Sequence, residues 1–263
     1  MNKSTTIHDE LKAIFIDWPI WFMLGTQDIK LRYRCSSIGP LWISINMAIT
    51  VCCMGFLYGH LFKINIGEYF PYLTSGIIGW SFISTLILES NNAFIESESY
   101  IKNQDSFISL FMMRLFLRNI IIFAHNLLVF IPIIFICNIG VSFKILLLIP
   151  GLFIIGFNVI TWGTLLSIIT TRYRDFNQII GSFIQIIFFL TPIMWMPNLL
   201  PERLQWVVAY NPFHQFLNLI RDPLLNNMIS TQTLVMVSLI SILGFMLYTH
   251  FLSKFKYRIV FWL

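Results

Sequence analysis

Charge is what this chain has least of. Only 11% of its 263 residues are Asp, Glu, Lys or Arg, against about 25% in soluble globular domains. With 57% hydrophobic residues, 16% aromatics and a mean hydropathy of +0.77, the deficit points to a helical bundle in a bilayer. Catalytic groups are also scarce. No G-x-x-x-x-G-K-[ST] phosphate loop occurs, which excludes ATP hydrolysis by that route. Metal-ligand clusters and a nucleophile elbow are missing, so neither a metal site nor an enzyme is expected. The cysteines Cys35, Cys52, Cys53 and Cys137 lack disulfide or zinc spacing. Cys52 and Cys53 read as small core residues. Of the twelve acids, only Glu89 is placed to enter a span, and there it reads as a solvated helix end. Asp28, Asp175 and Asp222 stand isolated. His125 reads as a hydrogen-bonded core histidine rather than a proton relay. What remains is conduction or scaffolding.

Six apolar runs approach the roughly 20 residues a helix needs to span a bilayer: 38–61, 71–88, 107–137, 145–170, 179–196 and 234–252. Arg114 and Arg118 restrict the embedded part of the third run to about residue 117 onward. Six spans put both termini on one side. With the N-terminus inside, thirteen basic residues face the cytoplasm: Lys3, Lys12, Lys30, Arg32, Arg34, Lys102, Arg114, Arg118, Arg172, Arg174, Lys254, Lys256 and Arg258. Only four, Lys63, Lys144, Arg203 and Arg221, face outward. That bias assigns the orientation. It also accounts for the net charge of +5 without invoking nucleic acid.

Residues 4–24 are expected to form an amphipathic helix. Thr6 and Asp9 have N-cap spacing, and Ile7, Leu11, Ile14, Phe15, Trp18 and Phe22 recur at helical intervals. Pro19 is expected to kink or break it. The helix lies on the cytoplasmic membrane surface or packs on a partner protein. Residues 1–12 are polar, so no cleaved signal peptide is expected. Outside the membrane, between spans five and six, two half-length apolar pieces (204–210 and 213–220) flank Asn211-Pro212. Neither is long enough to cross, so each is re-entrant or interfacial, with the break set by Pro212. No internal repeat is convincing: Arg32-Tyr33-Arg34 and Arg172-Tyr173-Arg174 echo each other, but their flanks do not.

Aromatic surface is abundant. Trp42, Tyr58, Trp80, Phe188, Phe189 and Trp195 lie in or near spans one, two and five, with Asn46 and Gln185 on the same helices. They form lipid-facing bulk and interfacial belts, or they line a path along which the C–H faces of sugars slide. The residues alone leave both readings open.

Three stretches resemble the ABC-2 permeases that export O-antigen, capsular or teichoic polysaccharides. The first is Asp28-Ile29-Lys30-Leu31-Arg32-Tyr33 continuing to Gly39 and Trp42. The second is Arg172-Tyr173-Arg174-Asp175-Phe176, followed by a span ending in Thr191-Pro192-Ile193. The third is Asn211-Pro212-Phe213 with Arg221-Asp222. Gln27 and Cys35-Ser36 depart from the family pattern at the inner mouth. The resemblance is to O-antigen export permeases above all, and it covers essentially the whole chain. It implies an all-α fold in which residues 1–263 form one transmembrane domain: 1–34 the cytoplasmic helix and basic mouth, 35–263 the six-span bundle.

It further implies a homodimer in the bacterial inner membrane, with both termini cytoplasmic, joined by two copies of an ATPase subunit that binds ATP and magnesium. No cofactor is expected on this chain. The implied substrate is an undecaprenyl-pyrophosphate-linked polysaccharide. Lys30, Arg32 and Arg34 are candidates for steering its pyrophosphate, or for anchoring to lipid phosphates. The polar segment 96–106, with Glu96, Glu98, Tyr100, Lys102 and Asp105, becomes the element that couples to the ATPase; otherwise it is a solvated loop. The alternatives are a capsule or teichoic-acid exporter, a drug-efflux permease, and a membrane-embedded sugar or lipid transferase.

Overall fold

A computed structural model describes residues 7–62, 65–103, 107–140 and 142–263. Thr6, Lys3, Lys63 and Asp105, singled out above, lie outside the described residues. The architecture is helical. Two helices precede the bundle, α1 (Ile7–Ile16) and α2 (Trp18–Arg32); then come α3 (Leu41–Phe62), α4 (Ile66–Glu96), the short α5 (Glu98–Asn103), α6 (Ile108–Leu127) and α7 (Phe130–Ile136). Next, α8 (Leu148–Asn158) runs through a π-helical turn, Val159–Gly163, into α9 (Thr164–Arg172). The remainder is α10 (Phe176–Leu190), the half-helices α11 (Gln205–Ala209) and α12 (Pro212–Leu224), and α13 (Thr231–Trp262).

Among the described residues, five helical stretches are long and apolar enough to cross a membrane: Leu41–Leu61, Ile66–Glu96, Ile108–Ile136, Phe143–Arg172 and Thr231–Trp262. The expected fifth span differs. Its helix, α10, has 15 residues, about 22 Å at 1.5 Å per residue. Beyond Leu190 the chain leaves helical geometry, with Thr191 extended at φ −94° and ψ 134°. Pro192 explains this: it has no N–H to donate, and its ring disfavours helical geometry in the residue before it.

The helix α4 is the central post. Asn65 caps it, Oδ1 accepting from the Gly67 N–H at 2.9 Å. Two-thirds (67%) of its apolar window is buried within the chain, against 11% for α3 and 17% for α13. It packs on α3, α6, α9, α10 and α12. Residues such as Leu73, Ile78, Leu86 and Phe94 are fully enclosed or nearly so, an arrangement that only an element surrounded by neighbours can reach. The outer faces of α3 and α10 stay open, with Ile49, Phe56, Phe183, Ile186 and Phe189 at least half exposed.

The N-terminal segment breaks at Asp17 and resumes with Pro19 in the first turn of α2, as the proline dictates. The helix then continues past residue 24 to Arg32, so most of the basic mouth is helical. α1 is held by Glu10, which is fully buried. Its carboxylate accepts from the Ser109 N–H at 3.1 Å and the Ser109 hydroxyl at 2.7 Å, and it pairs with Lys256 on α13. One carboxylate therefore ties the N-terminal helix to the start of α6 and the end of α13. Glu10→Ala removes the carboxylate that pairs with Lys256 and leaves the Ser109 amide without its acceptor in a buried place. The expected cost is about 3 kcal/mol, read as a lowered midpoint in thermal unfolding of the detergent-solubilised protein. Glu10→Gln, which keeps an acceptor for Ser109, is expected to lose less.

Candidate functional site

Two acidic and two basic side chains from three helices meet at the end of the bundle where α2 packs on α6. Asp28 on α2 receives a two-pronged contact from Arg114 on α6, Nε to Oδ2 at 2.8 Å and Nη2 to Oδ1 at 2.6 Å. Arg118, one turn on, reaches Asp28 at 3.3 Å and Glu89 on α4 at 2.9 Å. Asn119 also donates to Glu89. Close approach of α2 requires Gly25, since a Cβ there would stand 3.0 Å from the Arg114 carbonyl oxygen. This overturns two expectations. Asp28 is not isolated, and Glu89 is not a solvated helix end: its side chain is 16% exposed and α4 continues past it to Glu96. Pairing is what makes such charges tolerable in a bundle.

The proposed coupling residues border this network. Glu96 lies 3.9 Å from Arg118 and is largely exposed. Tyr100 on α5 receives Arg114 over its ring at 5.9 Å and packs on Phe111. Lys102 and Glu98 form an i,i+4 pair at 2.6 Å, and the Lys102 hydrogen bond holds the Glu98 carboxyl below its ordinary range. Of the three cations at the mouth, Arg32 reaches Glu89 at 4.0 Å; Lys30 and Arg34 project outward.

Above the network, α3, α4 and α6 enclose a cleft of about 400 Å³ whose walls include Asn46 and Arg32. Trp42 stands on the exposed side of α3 and Tyr58 is half-buried. His125 engages the Ile121 carbonyl oxygen at 2.7 Å, as a hydrogen-bonded histidine should. Among the described residues no group of three or more His, Cys, Asp or Glu gathers to hold a metal ion.

Around the end of α10 and the start of α12 the structure gathers the other expected aromatics. Trp80 packs on Phe188 at 5.9 Å and on Phe213, at the start of α12, at 6.3 Å. Phe188 meets Phe189 edge-on. Trp80 is 7% exposed, inside the subunit, whereas Phe189 is 68% exposed. Gln185 lies one turn before Phe189 and is also exposed. The Trp195 indole donates to the Phe189 carbonyl oxygen at 3.4 Å.

The break after α10 frees backbone carbonyls that need partners, and residues distant in sequence supply them. The Tyr72 hydroxyl donates to the Pro192 carbonyl oxygen at 2.9 Å, and that of Tyr69 to the Met194 carbonyl oxygen at 2.6 Å. Arg221 on α12, 2% exposed, donates to the Pro192 carbonyl oxygen at 2.8 Å and to the Tyr72 oxygen at 3.0 Å. Its guanidinium lies 4.1 Å over the Tyr72 ring. Gly76 leaves room for it; a Cβ there would meet Arg221 Nη2 at 2.3 Å. Asn211 caps α12 through Oδ1, which accepts from the Phe213 N–H at 2.9 Å. Its amide group donates to the Thr191 hydroxyl at 3.1 Å.

Tyr69, Tyr72 and Arg221 were not among the expected site residues. The visible signal was Thr191-Pro192, which announces orphaned carbonyls, but not their donors. Tyr72→Phe is expected to cost about 1 kcal/mol. Arg221→Leu, which takes one of two donors from the Pro192 carbonyl oxygen and the donor from that of Ile193, is expected to cost about 2 kcal/mol. Lys is a poor substitute because a single ammonium cannot reproduce the planar fork. Thermal unfolding, with acrylamide quenching of tryptophan fluorescence to follow Trp195, measures both.

Residues 20–225 match the ABC-2 type transporter family. Two proteins of Klebsiella pneumoniae, each described as O-antigen export system permease protein RfbA, are similar across nearly their whole length. One is 24% identical over 243 residues and the other 24% identical over 241, each alignment covering 90% of this chain and 92% of the relative. A profile match across three-quarters of the chain, on a bundle of apolar helices long enough to cross a membrane, settles the classification: this protein belongs to the ABC-2 type transporter family, a family of transport permeases.

Proposed function

We propose that this chain is the transmembrane subunit of an ATP-driven exporter that moves undecaprenyl-pyrophosphate-linked O-antigen polysaccharide from the cytoplasm to the periplasm. The observation that carries this reading is the likeness to two O-antigen export permeases over nine-tenths of both chains. In this reading the subunit sits in the bacterial inner membrane with both termini cytoplasmic, as the basic-residue bias favours. The fifth of six spans is α10 completed by Thr191–Met196. The half-helices α11 and α12 form a re-entrant hairpin, supported by the contact of Phe213 with Trp80, fourteen positions into α4 and thus about 21 Å along it.

Two copies pair through the open faces of α3 and α10, whose large exposed apolar side chains suit a second subunit. Phe189, Gln185, Trp42 and Asn46 then border the path between copies, with Trp195 near its outer end. Two ATPase subunits supply ATP and magnesium chemistry from the cytoplasm and push on α5 and α2. The Tyr100–Arg114 contact and the Asp28, Glu89, Arg114 and Arg118 network carry that push into α6 and α4. Lys30 and Arg34 attract the anionic lipid head by long-range field, and Arg32 at closer range.

Deletion of the gene is expected to leave undecaprenyl-linked O-antigen in the cytoplasm and none at the surface. Normal surface O-antigen in the deletion strain would overturn the proposal. Phe189→Ala is the clean probe of the aromatic path, because the exposed ring contributes little to packing within the subunit. Export is expected to fall severalfold while assembly with the ATPase, read by co-purification, is retained.

A further inference from the structure

Amides and hydroxyls inside a membrane-embedded bundle cost free energy unless partnered. The cleft between α3, α4 and α6 nevertheless collects Asn46, Ser81, Thr85, Asn119 and Asn126 in its walls, with Arg32 at its cytoplasmic end. Some are satisfied within the protein: Ser81 donates to the Ile78 carbonyl oxygen at 3.0 Å, and Asn119 to the Leu115 carbonyl oxygen at 3.0 Å. Asn126 is different. It is 4% exposed, yet its side-chain oxygen has no hydrogen-bond partner. A buried acceptor of this kind marks a place where a donor is expected.

The remaining walls narrow the chemistry. Phe82 and Phe123, 3% and 2% exposed and packed together with ring centroids 4.7 Å apart, back the cleft as an apolar wall beside the amides. Arg32, half exposed, meets Glu89 through Nη2 at 4.0 Å, the longest contact in the network and too long for a hydrogen bond, so its guanidinium is under-used. The volume of about 400 Å³ falls within the roughly 300–1,000 Å³ of small-ligand pockets. Neutral hydrogen-bonding groups beside an apolar wall suit a sugar ring, and one under-used guanidinium at the membrane surface suits a phosphate.

We infer that the α3–α4–α6 cleft is a subsite for the head of a phosphorylated glycolipid: the phosphate sits at Arg32, and the first sugar lies against Asn46, Thr85 and Asn126. This rests on the export reading above and places the head within one subunit, beside the path between two copies. The shared chemistry, a phosphate ester on a membrane lipid, also belongs to ordinary phospholipids, so the test separates the two sources.

The experiment uses the permease–ATPase complex in phosphatidylcholine nanodiscs. Three probes are compared: undecaprenyl-pyrophosphate N-acetylglucosamine, undecaprenol and phosphatidylglycerol. Affinity is read by native mass spectrometry, and export is followed in parallel. Asn126→Leu and Thr85→Val are expected to weaken binding of the glycolipid at least tenfold and to leave undecaprenol unchanged. Arg32→Gln is expected to weaken the glycolipid by a similar factor. Thr85→Val is nearly isosteric, so it bears the same expectation even if Asn126→Leu fails to assemble. Unchanged glycolipid affinity in Thr85→Val overturns the subsite and leaves the export reading standing. Phosphatidylglycerol that binds as tightly and responds to the same substitutions overturns the sugar assignment. A wild-type complex that binds no pyrophosphate lipid and exports none overturns the export reading itself.

Discussion

Neutralising charge where water is scarce is the constraint on which this structure depends. Asp28, Glu89, Arg114 and Arg118 each present a charge that a bilayer-embedded bundle cannot leave alone. Their mutual pairing brings three helices to one point: α2 arrives because Asp28 needs Arg114, and α4 is joined to α6 because Glu89 needs Arg118. Gly25 provides the close approach that makes the first contact possible. Glu10 repeats the principle for α1, with Ser109 and Lys256 as its partners. The attachments at this end of the bundle are therefore electrostatic, whereas along α4 from Leu73 to Phe94 apolar packing is interrupted by buried, hydrogen-bonded polar groups such as Ser90 and Asn91.

The outer end answers a different need. There the problem is neutral backbone, because the break at Pro192 strips partners from several carbonyls. Tyr69, Tyr72 and Arg221 satisfy them from α4 and α12. Irregular backbone at such a depth is tolerated when it is buried in protein and hydrogen-bonded. The same contacts seat α12 against α4 and bring Phe213 to Trp80. Ion pairs at one end and donors to backbone oxygens at the other give the subunit two attachments joined by α4.

Much of this was legible beforehand, because some signals are local. Apolar run length located three spans to within about three residues and the cores of two more, α4 and α13, which run 8 and 10 residues past the expected ends; Asn211-Pro212 separated the two half-helices at the observed place. Pro19 announced the break near Asp17. Where the reading failed, the deciding partner was far along the chain. Asp28 looked isolated because its guanidinium partners lie 86 and 90 residues away. Glu89 looked like a helix end because hydropathy faded near residue 88, yet pairing with Arg118 let the helix run on to Glu96. The fifth run was counted by composition, which does not register that Thr191-Pro192 ends regular hydrogen bonding before the apolar residues run out.

By itself the sequence determined that the chain is a membrane bundle, which side its basic residues favour, and roughly where helices begin and break. These follow from composition, period and proline chemistry, all of which act over a few neighbouring residues. Only the tertiary structure decided which charges neutralise one another, which carbonyls Arg221 serves, and which polar side chains share a cleft. It placed Trp80 inside the subunit and left Phe189 outside. It also separated Arg32, which reaches Glu89, from Lys30 and Arg34, which do not line the cleft. Those outcomes rest on the rotation and closeness of helices that meet across scores of residues, which hydrophobic period constrains only loosely.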